Sequence, residues 1–167
     1  MKGTIMRIPT LLAFLTVFAA LASAQETNLT ISAGGGPALV LRISQAAKVT
    51  VTGNHTVVQT TNLTLHLWPV ANAKTAAEAQ PHVADLIKGE FLNFKPSATN
   101  QLVIADLPAW HILGQGTEAD DGDPGQAEVI LFAVGEYVFA ACVHGEFDDA
   151  ARANKPMLAV LQTAKTP

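Results

Sequence analysis

The side chains best suited to chemistry in this sequence are four residues in segments of strand-like composition, His66, His111, Cys142 and His144. Imidazole nitrogen and thiolate sulfur are ligands that zinc and copper favour. If the fold brought all four residues together, they would form a metal site. Only Cys142 and His144 show a local ligand spacing, because a single residue separates them. The alternative is that each histidine is a structural residue, satisfied by its neighbours.

A second candidate is the segment WHILGQGTEADDGDPG at residues 110–125, which combines glycines with four acids. A glycine loop that binds phosphate precedes a helix, whose free N–H groups hold the anion, whereas a strand is predicted to follow here. The spacing of acids, glycine and glutamate in an EF-hand calcium loop is also absent. The sequence therefore predicts a solvated hairpin turn over residues 119–125. Another kind of calcium site in EADDGD remains the alternative.

Catalytic signatures are absent from the sequence. There is no G-x-S-x-G elbow that would expose a nucleophilic serine. The acids concentrate in the turn at 119–125 and in the EFDD segment at 146–149, which is predicted to be a second turn. Acids in solvated turns do not have the split pKa values that acid–base catalysis requires. The sequence predicts a protein that is not an enzyme and has no cofactor.

The amino terminus has the pattern of a secretory signal peptide. Lys2 and Arg7 precede an apolar run that ends in the small residues of 22–24. The apolar core at 11–21 is shorter than the roughly 20 residues of a membrane-spanning helix. We expect cleavage of residues 1–24, before Gln25, a periplasmic or secreted mature protein, and no stable membrane insertion.

The net charge indicates which partners are not expected, and the cysteine count indicates how the fold is stabilised. The formal net charge is −4, and removal of Lys2 and Arg7 with the leader makes it more negative. An acidic protein of this kind is not expected to bind nucleic acid or anionic lipid surfaces. With one cysteine no internal disulfide forms, and the apolar surroundings of Cys142 predict a buried, inert thiol. Residues 25–167 have the length of a single domain.

The hydrophobic pattern predicts strands, a helix, more strands and a closing helix. Residues of alternating or β-branched character predict strands at 28–32, 37–44, 56–60, 63–70, 101–107, 109–118, 126–135 and 136–145. Gly135 with Glu136 predicts a two-residue hairpin between the last two strands. The closing helix is predicted around 154–165, with Pro156 in its first turn and an apolar stripe of Met157, Leu158, Leu161 and Ala164.

The first helix is predicted over residues 75–94. Thr75 and Glu78 form a capping box, and Pro81 predicts either a bent first turn or a later start. Helical spacing places one apolar face on Ala79, Val83, Leu86, Ile87 and Phe91.

Strand alternation also assigns faces to the candidate ligands. The leucines at 63, 65 and 67 face the core, so His66 and Trp68 lie on the other face, either exposed or covered by a helix. By the same alternation His144 shares a face with Cys142 and Ala140.

Several of these segments together carry a family resemblance. They are TAAEAQPHVADLI, LPAWHILGQGTEADDG, VILFAVGEYVFAACVHGE and MLAVLQTAK. Across about residues 65–163 the chain resembles the PsbP-like and DcrB-like exported proteins of bacteria and plastids. The resemblance implies an α+β sandwich, in which a twisted, mainly antiparallel sheet is flanked by helices. It also implies a non-enzymatic exported or assembly-linked role.

Two functional hypotheses follow from these observations. The first is an exported accessory or binding protein that acts through an unidentified protein partner. The second is a small periplasmic metal- or ligand-binding protein built on the strand histidines and Cys142.

Overall fold

The computed structural model describes residues 26–167, except for the side chains of residues 147–149, 151 and 152. The predicted leader at 1–24 lies outside the described residues. Nine strands follow one another as β1 Thr27–Ala33, β2 Gly36–Ile43, β3 Lys48–Thr52, β4 His55–Gln59, β5 Thr64–Val70, β6 Phe91–Ile104, β7 Leu107–Glu118, β8 Pro124–Val134 and β9 Tyr137–Gly145. The helices are α1 Ala76–Ala79, α2 Val83–Ile87 and α3 Phe147–Leu161, with a 3₁₀ turn at Gln80–His82 between α1 and α2.

The strands form one large antiparallel sheet and one separate hairpin. The large sheet has the order β3-β4-β5-β9-β8-β7-β6, and β1 pairs only with β2. One face of the large sheet packs against the β1–β2 hairpin and α3. The other face packs against α1 and α2. The predicted α+β class, with a mainly antiparallel sheet flanked by helices, is therefore confirmed.

The α1–α2 segment shows the predicted Thr75 cap, although the Glu78 carboxylate bonds the Lys74 amide and not the Thr75 amide of a capping box, and it shows the effect of the predicted proline. The Thr75 hydroxyl accepts a hydrogen bond from the Glu78 amide at 3.2 Å, and the Glu78 carboxylate accepts one from the Lys74 amide at 2.8 Å. Pro81 lies in the 3₁₀ turn, where its missing N–H breaks the regular helical ladder. The helix ends at Ile87, not at residue 94. Phe91 is buried against the same core, but it is the first residue of β6 and not a helical residue.

In the second half of the chain, α3 packs against the β8–β9 hairpin. Gly135 occupies the tight turn with φ +60°, a conformation that favours glycine. Ile130 and Phe139 point to the face covered by α3, where Leu161 is fully buried. Leu131 belongs to the opposite face. The predicted packing of the closing helix on this hairpin is thus confirmed for Ile130 and Phe139.

The closing helix begins earlier than its sequence pattern indicates. It starts at Phe147, so the EFDD segment is the start of a helix and not a turn. Pro156 lies inside α3 rather than in its first turn. Packing on the sheet compensates for the hydrogen bond that the proline removes. Beyond the helix, Lys165 and Val40 exchange backbone hydrogen bonds of 2.9 and 3.1 Å, which tie the end of the chain to β2.

The edge strand β3 is not among the predicted strands. All five of its residues are exposed, so the alternation of buried and exposed positions that marks the neighbouring strands is absent. Its pairing with β4 gives it order. Within residues 26–167, none of the helices combines the length and the apolar character needed to cross a membrane.

Candidate functional site

Three histidines lie on a diagonal across three adjacent strands. His66 of β5 pairs with Val57 of β4 on one side and with Cys142 of β9 on the other. His55 precedes Val57 by two positions and His144 follows Cys142 by two, so both share the face of His66. This is the face covered by α1 and α2, as predicted for His66 and Trp68.

His55, His66 and Glu90 bring three donor groups together. The Nδ1 atom of His66 lies 3.2 Å from Nε2 of His55 and 3.4 Å from Oε2 of Glu90. The Nδ1 atom of His55 lies 3.3 Å from Oε1 of Glu90. One donor atom from each of the three residues falls within 4.8 Å of the others. We call these three residues the His–His–Glu cluster.

The backbone around Glu90 is fixed from both sides. Its amide donates to the carbonyl of Ile87 at 2.9 Å, which ends α2 in a tight turn. Its carbonyl accepts from the amide of Ala119 at 3.0 Å, beside the end of β7. The next residue, Phe91, is fully buried. Glu90 is therefore held over the diagonal histidines by the chain on either side of it.

The environment of His66 favours the neutral imidazole. Burial under the helical layer, aided by the neighbouring imidazoles of His144 and His55, lowers its pKa to about 3. The Glu90 carboxylate, 3.4 Å away, would favour the charged ring, but the loss of solvation dominates. A neutral imidazole has a free lone pair and is the form that ligates metal ions.

His144 and Cys142 flank the cluster without joining it. The rings of His144 and His66 have centroids 4.8 Å apart, and Nδ1 of His144 lies 3.5 Å from Oε2 of Glu118. Both ring nitrogens of His144 are buried and make no hydrogen bond within the described residues. Cys142 is fully buried, and the loss of solvation raises the pKa of its thiol far above its usual range. The structure thus supports the prediction of an inert thiol.

The acidic turn after β7 is a hairpin turn, as the sequence predicts. The Asp123 amide donates to the side chain of Asp121 at 2.9 Å, and the Gly122 amide donates to the carbonyl of Glu118 at 3.1 Å. Partial burial raises the pKa of Glu118, and the nearby charges of Asp121 and Asp120 raise it further, while His144 opposes them. The acids of this turn lie close to one another, but no other observation on them indicates a metal ion.

The convergence of four ligands, raised as one hypothesis from the sequence, does not extend to His111. It pairs with Ile130, on the face of the sheet covered by α3, and so lies on the opposite side from His66, Cys142 and His144. Its Nε2 atom is 2.9 Å from Oε2 of the buried Glu128, which also accepts a hydrogen bond from Asn154 of α3. His111 therefore follows the structural alternative, since it satisfies a buried carboxylate.

Two members of the cluster were not among the residues predicted to form a site. His55 falls in the TGNH segment, which has the composition of a turn, and only the β4–β5 register places it beside His66. The sequence pattern places Glu90 inside the predicted first helix. Extending the 56–60 strand by one residue would have made His55 a strand residue, but would not have shown that it lies beside His66. Nothing in the sequence indicates that Glu90 lies beside His55 and His66.

A cleft of about 350 Å³ opens beside the cluster. It is lined by Asn54, His55, Trp68, Pro69, Ala71, Asp85, Leu86, Gly89 and Glu90. His55 and Glu90 face this cleft, while His66 lies behind them and is only 7% exposed. The ring of Trp68 meets that of His55 edge-on, with centroids 5.3 Å apart. The cluster is thus closed on the sheet side and open on the cleft side.

Known proteins are similar to this chain in fold and not in sequence. No family model and no curated protein matches it. It is similar to the solution structure of cyanobacterial PsbP (CyanoP) from Synechocystis sp. PCC 6803, with a TM-score of 0.56 and 9% identity over 92% of this chain and 99% of that chain. The predicted PsbP-like fold is therefore confirmed, and an identity this low shows the fold alone.

Two further solved structures are similar to this chain at lower scores. One is PA94, a protein of unknown function from Pseudomonas aeruginosa, with a TM-score of 0.48 and 11% identity over 81% of this chain and 94% of that chain. The other is LpqN, involved in cell envelope biogenesis of Mycobacterium tuberculosis, with a TM-score of 0.48 and 13% identity over 86% of this chain and 91% of that chain.

Proposed function

We propose that this protein is an exported, non-enzymatic accessory protein that binds one transition-metal ion, zinc above all, through His55, His66 and Glu90. The observation that carries the proposal is the convergence of the three donor groups within 4.8 Å. Export rests on the leader predicted at residues 1–24. Of the four candidate ligands identified in the sequence, only His66 is part of this site. His55 and Glu90 take the place of His111, Cys142 and His144.

The spacing of the donor atoms fits a tetrahedral ion. Bonds of about 2.0–2.1 Å from zinc to imidazole nitrogen or carboxylate oxygen place the ligand atoms about 3.3 Å apart in a tetrahedron. The distances from His66 Nδ1 to His55 Nε2 and to Glu90 Oε2 are 3.2 and 3.4 Å. Two edges of the tetrahedron therefore exist without rearrangement of the side chains.

The type and number of ligands favour zinc over the common alkaline-earth ions. Two imidazoles and one carboxylate form a mixed nitrogen and oxygen set, which suits zinc, copper or nickel. Calcium requires six to eight oxygen ligands, and magnesium prefers oxygen in octahedral geometry. The cluster offers the oxygens of Glu90 alone.

Two other reactive groups in the described part of the chain, Cys142 and Glu128, support a non-enzymatic role. Cys142 is buried, and its pKa is raised, so it is not a nucleophile at neutral pH. The carboxylate of Glu128 is used by His111 and by Asn154, and this contact ties α3 to the sheet. Both groups serve the fold.

Metal content of the mature protein, purified without a histidine tag, tests the proposal. After equilibration with zinc and desalting, we expect one zinc per chain in the wild type. The variants His55→Gln and Glu90→Gln should lose it, whereas His82→Gln, a control at an exposed histidine outside the cluster, should retain it. Zinc that is absent from the wild type, or retained in both cluster variants, would contradict the proposal.

A further inference from the structure

We propose that the bound ion keeps one coordination position open to the cleft and that this position is filled by the imidazole of a histidine supplied by a partner. This inference rests on the proposed metal site and names the chemistry of its partner. It concerns the cleft lined by Trp68, Asp85 and Leu86 as well as by the metal ligands His55 and Glu90.

The open position follows from the number of ligands and from where they lie. Three protein ligands leave one vertex of a tetrahedral zinc ion free, the arrangement of zinc sites that accept an outside ligand. His66 closes the sheet side, whereas His55 and Glu90 line the cleft. The free vertex therefore points away from His66 and toward the cleft. A structural zinc site would have its fourth ligand from the chain itself.

The shape of the cleft suits a flat ring. Its volume of about 350 Å³ is enough for an imidazole with part of the peptide that carries it. Trp68, Pro69 and Leu86 supply apolar walls next to the metal ligands. An aromatic ring packs favourably against such walls.

The charge of the cleft favours an imidazole over a carboxylate as the fourth ligand. Asp85 and Glu90 are both acidic, and the lining, which lies wholly in the described part of the chain, contains no lysine or arginine. With the ion bound, the charge of Glu90 is offset by the metal, but a carboxylate entering the cleft would still meet the like charge of Asp85 and would find no cation other than the metal ion. A neutral imidazole meets no such repulsion. We therefore commit to a histidine-bearing partner rather than to an acidic one.

Cobalt(II) in place of zinc makes the fourth ligand visible, because its visible absorption depends on the ligand set. The mature, full-length protein is loaded with cobalt and titrated with imidazole, and separately with acetate at constant ionic strength. We expect a saturable spectral change with imidazole at a concentration at least about tenfold below that needed with acetate, with the cobalt retained after desalting. In Asp85→Asn, an exposed position, the preference for imidazole should shrink.

A substitution that fills the cleft provides the second test. Gly89 lines the cleft, and a side chain there would meet no heavy atom within 4 Å at its first carbon, so Gly89→Leu adds bulk at the cleft wall without a clash. It should bind cobalt and lose the response to imidazole. Gly36→Leu is the matched control, because the same space is free there but the residue lies in β2, away from the cleft. It should bind cobalt and keep the response.

The outcomes separate the two proposals. If cobalt does not bind to the wild type, both the metal site and this inference fail. If cobalt binds but imidazole leaves the spectrum unchanged or strips the metal, the site has no open position and only this inference fails. Equal responses to acetate and imidazole would refute the choice of donor. A full response in Gly89→Leu would refute the role of the cleft.

Discussion

Protonation of His66 should make the metal-free protein less stable in mild acid. Its imidazole has an ordinary pKa of 6.5 in the unfolded chain and one of about 3 in the folded protein. Burial is the main cause, and the facing imidazoles of His144 and His55 add to it, against the Glu90 carboxylate. Because the folded pKa is the lower one, only the unfolded state takes up a proton as the pH falls below 6.5. The stability is therefore present above this pH and declines toward pH 3.

The size of the effect follows from the two pKa values. At about pH 5 the unfolded state gains RT ln(1 + 10^1.5), or about 2 kcal/mol, from protonation of this residue, whereas at about pH 7.5 it gains almost nothing. A loss of about 2 kcal/mol is a substantial part of the ~5–15 kcal/mol of a typical domain. The folded state at about pH 5 keeps the ring neutral and gains nothing in return.

Urea unfolding of the wild type and of His66→Gln at these two pH values measures the contribution. Other titrating groups affect both proteins, so the difference between their pH dependences isolates His66. We expect the wild type to lose about 2 kcal/mol more than the variant. Equal losses would mean that His66 is not held in its neutral form by the fold. If the variant does not fold, an NMR titration of the His66 ring in the wild type decides, since a midpoint near 6.5 contradicts the buried, neutral state.

Three other predictions concern the fold and export. Leu161→Ala removes a fully buried side chain of α3 and should cost roughly 2–5 kcal/mol in urea unfolding, whereas Lys165→Ala keeps its backbone bonds to β2 and should cost under about 0.5 kcal/mol. Equal midpoints would mean that α3 does not stabilise the sheet. Replacing the three aspartates of residues 119–125 by Asn should change the melting temperature little, and a calcium-dependent rise in the wild type would refute the unoccupied turn. Mass spectrometry of the exported fraction should find Gln25 at the amino terminus, and an uncleaved chain in the membrane fraction would contradict the leader.

Local signals in the sequence account for much of the fold. The Thr75–Glu78 cap and the glycine at 135 act through neighbouring residues, so they can be identified without tertiary information. The start of α3 could not be predicted in this way. A proline at 156 usually marks a first turn, but the packing of the preceding turns on the sheet extends the helix back to Phe147. The exposed strand β3 is stabilised by pairing and has no buried side to reveal it.

The candidate site was only partly predictable for a related reason. Alternation along a strand places His66 and Trp68 on one face, and this holds in the structure. Alternation does not say which strands are neighbours, so it could not separate His111 from the other ligands or bring His55 to His66. Glu90 reaches the cluster through the end of α2 and a backbone bond to Ala119, which depends on tertiary structure alone.

The most direct test of the metal site is a crystal of the zinc-loaded mature protein, measured at the zinc absorption edge. We expect one strong anomalous peak between His55, His66 and Glu90, about 2.0–2.2 Å from one donor atom of each residue. A peak at the acidic turn of residues 119–125, or at Cys142, would contradict it. The absence of any peak, in a crystal grown from protein whose zinc content has been confirmed in solution, would also contradict it.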